Sequence, residues 1–565
     1  MQNSFIFIIF FYFLLISVIG YGGLFKKICF RESYNEKNSS IYTGFYGLMF
    51  ITLISLFTSI FVAHNFYHNI TIHSLGFFYF FFDFNKQKRI YLKHLFYISL
   101  LTISALIISK TNDDFSYYHF PFTKYLTEQK IIFGMGHLNH GYNLLSSLFF
   151  LNSTFYLPFI KFFSFHFSLL FFLIFFNYFV LKEIFTKKKK KIIKYLYLFS
   201  FLFFNLSFNR IAEYGTDKVG QLLIVVLIIK LFELVCFSEK KNLENTLYLL
   251  PLFGFCITLK TYFLPYVLLG LVLIFVNNHI KKNFSYVLLS KSFLFLLSLL
   301  FLIFVHHFIS TGCLISPIVF TCFGDSTLWG RETSDINNLS IWLEQWAKAG
   351  AGPGYRTNNP TFYIQGFNWV NNWIERYFIG KFSDQIGILF LSYLVIFFLF
   401  KKTKFDEYKI TNIKKIIYFY SILIIIFSVW FFNHPTLRYG GYSIFFLILS
   451  FPLSLIFSYF KECKKFDRNL NFLIIFVIIV FNLKNFDRIN KEFNRNDIFK
   501  FRNFPFFVIK NKEFTRTKLD SGLNIYTQDS GHCWGIPTPC AGGGGDNLFS
   551  IKKNGYYFIK RKLNK

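Results

Sequence analysis

Between Thr111 and Asn143 the chain reads TNDDFSYYHFPFTKYLTEQKIIFGMGHLNHGYN, and most of the side chains able to do chemistry stand in this one stretch. Two adjacent carboxylates, Asp113 and Asp114, come first, and His119 follows. Neighbouring carboxylates can hold a divalent cation through hard oxygen ligands, or one can serve as a general base whose proton affinity the other tunes. Asp113, Asp114 and His119 are therefore the catalytic candidates, with Asp113 and Asp114 as candidate ligands for Mg or Mn. The alternative is structural: Asn112 or Asp113 caps a helix over residues 115–126, and His119 is an ordinary buried imidazole. Further on, Gly134 and Gly136 suit a tight loop that presents His137, Asn139, His140 and Asn143 to a polar substrate. The plainer reading of that loop is a turn between two interfacial helices.

Two isolated cations add to this set. Lys260 follows an apolar run, and Arg438 sits in the turn-rich text Asn433-His-Pro-Thr-Leu-Arg-Tyr-Gly-Gly441. A cation at the edge of an apolar segment suits a lipid-linked phosphate or diphosphate, and snorkelling to lipid headgroups is the competing reading for Lys260. Arg210, Glu213, Asp217 and Lys218 form a further charged group. Glu213 and Asp217, four apart on one helical face, read as a salt-bridged rim.

The elements that must position these residues are apolar helices. The chain has 565 residues, 54% of them hydrophobic, with 88 Phe and only 16% charged residues. Its mean hydropathy is +0.43. Crossing a membrane takes roughly 20 apolar residues as helix, and such runs recur from Met1 to about residue 481. The composition predicts an all-α polytopic membrane protein of about twelve transmembrane helices. Expected spans include Phe66–Phe82, His94–Lys110 and a short last one at Leu473–Phe481. The net charge of +31 does not mark a nucleic-acid binder, because the lysines fall mainly in short loops between spans and no basic-aromatic binding module appears. The five lysines Lys187–Lys191 read as an anchor facing anionic lipid.

Sorting the loops by charge puts the short basic ones on the cytoplasmic side. It puts 111–143, 210–218, Lys260, 310–383, 433–441 and the tail on the other. This places one extracytoplasmic site over a multi-span domain of residues 1–483, followed by a small C-terminal extracytoplasmic domain of residues 484–565. The Trp-rich segment Ile341–Lys348 reads as an amphipathic interfacial helix with an anchoring duty. Of the eight cysteines, Cys29, Cys236, Cys256, Cys313, Cys322 and Cys463 lie in or near spans and read as small apolar residues. Cys533 and Cys540 flank a loop with two prolines, and on an oxidising face a disulfide between them would add about 2–3 kcal/mol.

Taken in order, several patterns carry a family resemblance: DDFSYYHFP, FGMGHLNHGYNLLSSLFFL, ITLKTYFLP, ISTGCLISP at Ile309–Pro317, IWLEQWAKAG, FFNHPTLRYGG and CWGIPTPC. Over roughly residues 100–545 the chain resembles a family of bacterial polytopic membrane proteins related to the GT-C glycosyltransferases. The resemblance implies a GT-C-like bundle whose first large extracytoplasmic loop carries an acidic catalytic residue, here Asp113 or Asp114. It also implies a polyprenyl-linked sugar donor and inversion at the anomeric centre. The family pattern nearer to HGRLGFNSS is replaced here by HLNHGYNLLSS, so its arginine is missing. The expectation is an enzyme of the bacterial inner (cytoplasmic) membrane, with its active face extracytoplasmic. It would transfer a sugar from the lipid-linked donor to a cell-surface glycan or glycolipid acceptor. A transporter or flippase of lipid-linked saccharides is the alternative, and a flippase should carry charges along a mid-membrane path rather than on one face.

Overall fold

The computed structural model describes residues 2–30, 40–107, 114–186, 189–237, 242–270, 282–352, 357–405, 412–462, 465–494, 513–528, 531–542 and 547–561. Long runs of Phe, Leu and Ile, which cannot alternate inside and outside as a half-buried strand would, form helices throughout. The principal ones are α1 (Gln2–Cys29), α2 (Thr43–Thr58), α3 (Phe66–Phe82), α4 (Lys86–Leu101), α5 (Phe120–Glu128), α6 (Ser147–Ser153), α7 (Phe167–Ile184) and α8 (Lys191–Ser207). They continue with α9 (Asp217–Phe237), α10 (Asn242–Leu259), α11 (Lys291–Thr311), α12 (Thr333–Lys348), α13 (Ser383–Phe400), α14 (Ile413–Asn433), α15 (Tyr442–Ser458) and α16 (Phe466–Asn494).

Among the described residues, nine helical segments are long and apolar enough to cross a membrane. They are Ser4–Cys29, Ser40–Thr58, Phe162–Ile184, Asp217–Phe237, Lys291–Thr311, Val370–Phe400, Ile413–Asn433, Leu437–Ser458 and Phe466–Asn494. This marks a multi-pass membrane protein. Three further expected spans are helical but short: α3 and α8 have 17 residues each, and the apolar part of α10 is Asn245–Leu259. The span expected at His94–Lys110 is interrupted, since α4 ends at Leu101 and a 3₁₀ turn follows at Ile103–Ala105. The last span is not short: α16 runs 29 residues and passes through the domain boundary expected at residue 484.

Close packing of the first helices depends on small residues, as it does where lipid supplies no hydrophobic drive for helix association. A Cβ on Gly20 of α1 would sit 1.9 Å from the carbonyl oxygen of Gly76 on α3. At one end of the bundle, charges gather in a closed group. Lys189 pairs with Glu183 and, at 2.6 Å, with Glu233, and Lys230 pairs with Glu233 at 2.9 Å and Glu183 at 3.3 Å. Glu233 and Asp217 are 16 residues apart on α9, about 24 Å at the helical rise. The site residues gathered around Asp217 therefore lie at the opposite end.

β1 (Lys401–Phe405) and β2 (Phe460–Glu462) pair antiparallel at the other end, after α13 and α15, and the site end carries the remaining strands. β3 (Thr515–Lys518), β4 (Asn524–Thr527) and β5 (Cys540–Ala541) form one sheet, with β3 antiparallel and β5 parallel to β4. β6 (Leu548–Lys553) and β7 (Tyr556–Arg561) form a hairpin. These strands pack onto the bundle. Leu519, Leu523, Ile525 and Ile559 share one apolar core with Phe122, Tyr125, Leu138 and Tyr142. Phe133 also donates to Tyr557 O and accepts from Ile559 N, both at 2.9 Å. Among the described residues there are two disulfides, Cys533–Cys540 and Cys313–Cys322. The second corrects the reading of Cys313 and Cys322 as mere apolar residues: they are nine apart and close the loop that leaves α11. Cys29, Cys236 and Cys256 are free thiols, and Cys463 lies outside the described residues.

Replacing Gly20 with Val should push α1 off α3 and cost roughly 1–3 kcal/mol, the usual penalty of overpacking. A thermal melt of the purified protein in detergent should show a lower midpoint, with Gly20→Ala falling between.

Candidate functional site

Four charged side chains from four distant segments form one continuous chain. The Arg438 guanidinium donates from Nη2 to Asp114 Oδ2 at 2.5 Å and from Nε to Asp217 Oδ2 at 2.9 Å. Lys260 Nζ lies 3.2 Å from Asp217 Oδ1. The order is Asp114–Arg438–Asp217–Lys260, with two negative and two positive charges. The chain is graded in access: the Asp217 and Lys260 side chains are 11% and 13% exposed, while Asp114 and Arg438 are 29% and 39% exposed. An approaching ligand therefore meets Asp114 and Arg438 first.

Each member is held by the local backbone. Asp114 precedes a π turn, Phe115–His119, that leads into α5. Asp217 opens α9, where a carboxylate also suits the positive end of the helix dipole. Lys260 closes α10. Arg438 occupies the turn Leu437–Gly441, in which Gly440 takes φ +86°. That turn is tied down from several sides. Gln221 Nε2 donates to Leu437 O at 3.1 Å and to Arg438 O at 3.2 Å, while Gln221 Oε1 accepts from Ser443 N at 3.0 Å. Tyr262 donates to Arg438 O at 3.0 Å, Tyr377 accepts from Leu437 N at 2.7 Å, and Trp373 donates to Pro435 O at 2.7 Å. The Trp346 ring of α12 lies 5.8 Å from the Arg438 guanidinium carbon, within cation–π range.

Burial alone would push the Asp114 carboxyl up, but the Arg438 guanidinium outweighs it and holds the group below the usual carboxylate value. Asp114 is thus ionised throughout the neutral range. His119 is fully buried, donates from Nδ1 to Tyr214 O at 3.2 Å, and its Nε2 has no hydrogen-bond partner among the described residues. Burial, opposed by Asp114, lowers its imidazole to about 4, so it is neutral near pH 7.

The remaining expected site residues fall into two groups. His137, Asn139 and His140 line a separate open cavity of about 210 Å³ together with Tyr117, Arg331 and Arg561. Asn143 does not line it. Its amide donates to the carbonyls of Gly136 at 3.2 Å and His140 at 3.0 Å, so it pins the loop from below. Gly134, at φ +83°, leaves no room for a Cβ, which would stand 2.1 Å from Ile559 O. Arg210 and Glu213 pair with each other, but Asp217 belongs to the ion chain and not to that rim. The link spans 221 residues to Arg438 and leaves no mark in local periodicity. Trp342 and Trp346 pack on His140, at 5.4 Å, and on Arg438, so α12 covers the site where an anchoring role was expected.

Asp113 lies outside the described residues. Asp114 and Asp217 are each bonded to Arg438 through one carboxylate oxygen. Among the described residues, no group of three His, Cys, Asp or Glu side chains is arranged to hold a metal ion.

The bundle and its ion-paired end define a multi-pass helical membrane protein with one polar site at a helix-end cluster. The chain belongs to the family described as a domain of unknown function (DUF8201), which matches residues 4–446. No curated protein and no solved structure matches it.

Two measurements test the site's electrostatics. The folded His119 imidazole titrates well below its unfolded value of 6.5. Its contribution to stability is therefore complete above about pH 6.5 and drains away as pH falls toward 4. The loss attributable to His119 should approach 3 kcal/mol, read as a shallower pH 7-to-4 drop in melting midpoint for His119→Gln than for wild type. Separately, Arg438→Lys should destabilise nearly as much as Arg438→Gln, by several kcal/mol, because one ammonium cannot span the Asp114 and Asp217 positions of a planar fork. A Lys variant that melts like wild type would show that charge alone suffices.

Proposed function

We propose that the chain is an integral membrane glycosyltransferase of the bacterial cytoplasmic membrane. It takes a sugar from a polyprenyl-linked donor and passes it to a cell-surface glycan or glycolipid on the extracytoplasmic face. The observation that carries this reading is the graded chain Asp114–Arg438–Asp217–Lys260, with an ionised, accessible carboxylate beside an accessible guanidinium at one end of an apolar bundle. The resemblance to GT-C enzymes, with an acid in the first large loop, agrees with it.

In the proposed reaction an acceptor hydroxyl attacks the anomeric carbon as the bond from that carbon to the carrier phosphate breaks, the electron pair leaving on the phosphate oxygen. The hydroxyl proton passes to the Asp114 oxygen not held by Arg438. A carboxylate of lowered proton affinity suits a transition state in which the sugar carries much of the positive charge, since the attacking hydroxyl becomes acidic only as its bond forms. Arg438 spends Nε and Nη2 on the two carboxylates, and Nη1 has no hydrogen bond among the described residues. That nitrogen can meet a departing phosphate oxygen. Lys260 is committed to Asp217, so its part is to keep Asp217 ionised and Arg438 oriented.

A deletion strain complemented with wild type, Asp114→Asn or Asp217→Asn tests this, with membrane abundance equalised and surface glycans and lipid-linked intermediates compared by mass spectrometry. Asp114→Asn should remove one sugar from the surface glycan and let its lipid-linked donor accumulate, with transfer down about 100-fold or more. Unchanged glycans in Asp114→Asn would remove the carboxylate from the chemistry. Donor trapped on the cytoplasmic leaflet would point to translocation instead.

A further inference from the structure

The cavity beside the ion chain has its own chemistry. Several of its polar groups are already engaged, Tyr117 and His140 with each other at 2.9 Å. Asn139 donates to Tyr117 O at 3.0 Å and accepts from Gly141 N at 2.8 Å, and His137 Nε2 donates to Trp329 O at 3.0 Å. The guanidinium groups are less committed. Arg331 gives Nη2 to Asp335 Oδ2 at 3.1 Å, with its side chain 16% exposed and its buried Nε without a partner among the described residues. Arg561, at the end of β7, also lines the cavity, and no hydrogen bond or ion pair holds its guanidinium among the described residues. Asp335 is in the wall as well, so the cavity carries a net positive charge.

Its surroundings are those of a saccharide site. Tyr117 forms part of the wall, and Trp342 lies 5.4 Å from His140. Asp335, Trp342 and Trp346 recur at spacings of seven and four on α12, which puts them on one helical face. The 11 residues from Asp335 to Trp346 cover about 16 Å, and Trp346 ends over Arg438. Trp342 and Trp346 thus stand on the face of α12 that runs from the cavity wall to the accessible end of the ion chain.

We propose that this cavity binds an acidic sugar residue, a uronate or a sugar phosphate, of the glycan acceptor. Its anionic group would lie between Arg331 and Arg561, and the following sugars would run along α12 toward Asp114. The word acceptor rests on the transferase reading; binding of the acidic sugar does not. Guanidinium groups match carboxylate and phosphate oxygens in pairs, and a cavity of about 210 Å³ has room for one monosaccharide rather than a chain.

The test is ligand-observed NMR on the full-length protein in nanodiscs, with glucuronate, glucose 6-phosphate, glucose and inorganic phosphate as probes. Glucuronate and glucose 6-phosphate should bind and glucose should not. Arg331→Gln and Arg561→Gln should each weaken binding by about tenfold or more, the usual effect of losing a charge-assisted hydrogen bond. Asp335→Asn should tighten it, because it releases Arg331. Equal response to glucose and glucuronate, or indifference to both arginine variants, would overturn the proposal. Inorganic phosphate binding as tightly as glucose 6-phosphate would overturn the saccharide assignment, and so would loss of sugar binding in phosphatidylglycerol nanodiscs with retention in phosphatidylcholine ones, which would make the ligand a lipid headgroup. No turnover is measured, so a wild-type glycan profile in Asp114→Asn leaves this result standing, and the converse holds.

Discussion

A single guanidinium bridges carboxylates from two distant parts of the chain. Arg438 bonds Asp114 on one side and Asp217 on the other, and Asp217 in turn carries Lys260. Removing Arg438 would strand Asp114, and removing Asp217 would strand Lys260; a partly buried charge without its counterion is far more costly than never having built the pair. The four residues are therefore mutually dependent. So are the π turn before α5, the start of α9, the end of α10 and the turn before α15, which carry them. The planar fork adds direction to the attraction. A lysine could neutralise either carboxylate, but only Arg can face both along fixed vectors.

A charged device of this kind needs rigid support, and the support comes from side chains that bond backbone rather than one another. Gln221, one turn beyond Asp217 on α9, grips the carbonyls of Leu437 and Arg438. Asp217 and the backbone that presents Arg438 are thereby fixed to the same helix. Tyr262 does the same from the Lys260 side, bonding the carbonyls of both Asp217 and Arg438. At the far end of α9, Lys230 and Glu233 join Glu183 and Lys189 in a second closed group. Between the two ends α9 is almost wholly apolar and buried. Charge is thus concentrated at the ends of the bundle, where water or headgroups can reach it, and is absent from the middle of this helix, where it would be most costly.

The apolar helices were legible because length and hydropathy alone specify them, and the polar loops were legible because they interrupt that pattern. What local pattern does not encode is which loops meet. Asp114, Lys260 and Arg438 stood out singly by residue type and position, but Asp217 read as part of a surface rim because its neighbour Glu213 is four residues away while its partner Arg438 is 221 away. Trp342 and Trp346 read as membrane anchors, since an amphipathic Trp-rich helix fits an interface equally well. Only tertiary packing shows that their rings lie against His140 and Arg438. Cys313 and Cys322 read as apolar residues because they flank a span, and the turn that brings them together is not visible in composition. The break after Leu101 was hidden because Thr102 to Lys110 stays as apolar as a helix continuing. Asn139 and Asn143 drew attention as ligand contacts, yet their amide NH2 groups are consumed in shaping the loop.

The family match ends at residue 446, and that boundary separates two kinds of residue. Asp114, Asp217, Lys260 and Arg438 all fall within it, as do Arg331 and α12. Arg561 and the strands that close the cavity fall beyond it. They are nevertheless integral to the fold, because β7 pairs with Phe133 and Ile559 enters the core beneath the 133–143 loop. The ion chain is therefore built by the bundle alone, while the cavity is built jointly by the bundle and the tail. A change in the tail can alter the charge and shape of the cavity without disturbing a single bond of Arg438. A change in α9 or in the Arg438 turn would disturb the ion chain first. On the proposed reading, the residues suited to chemistry sit on rigid helix ends, and the choice of ligand falls to a wall that a separate segment completes.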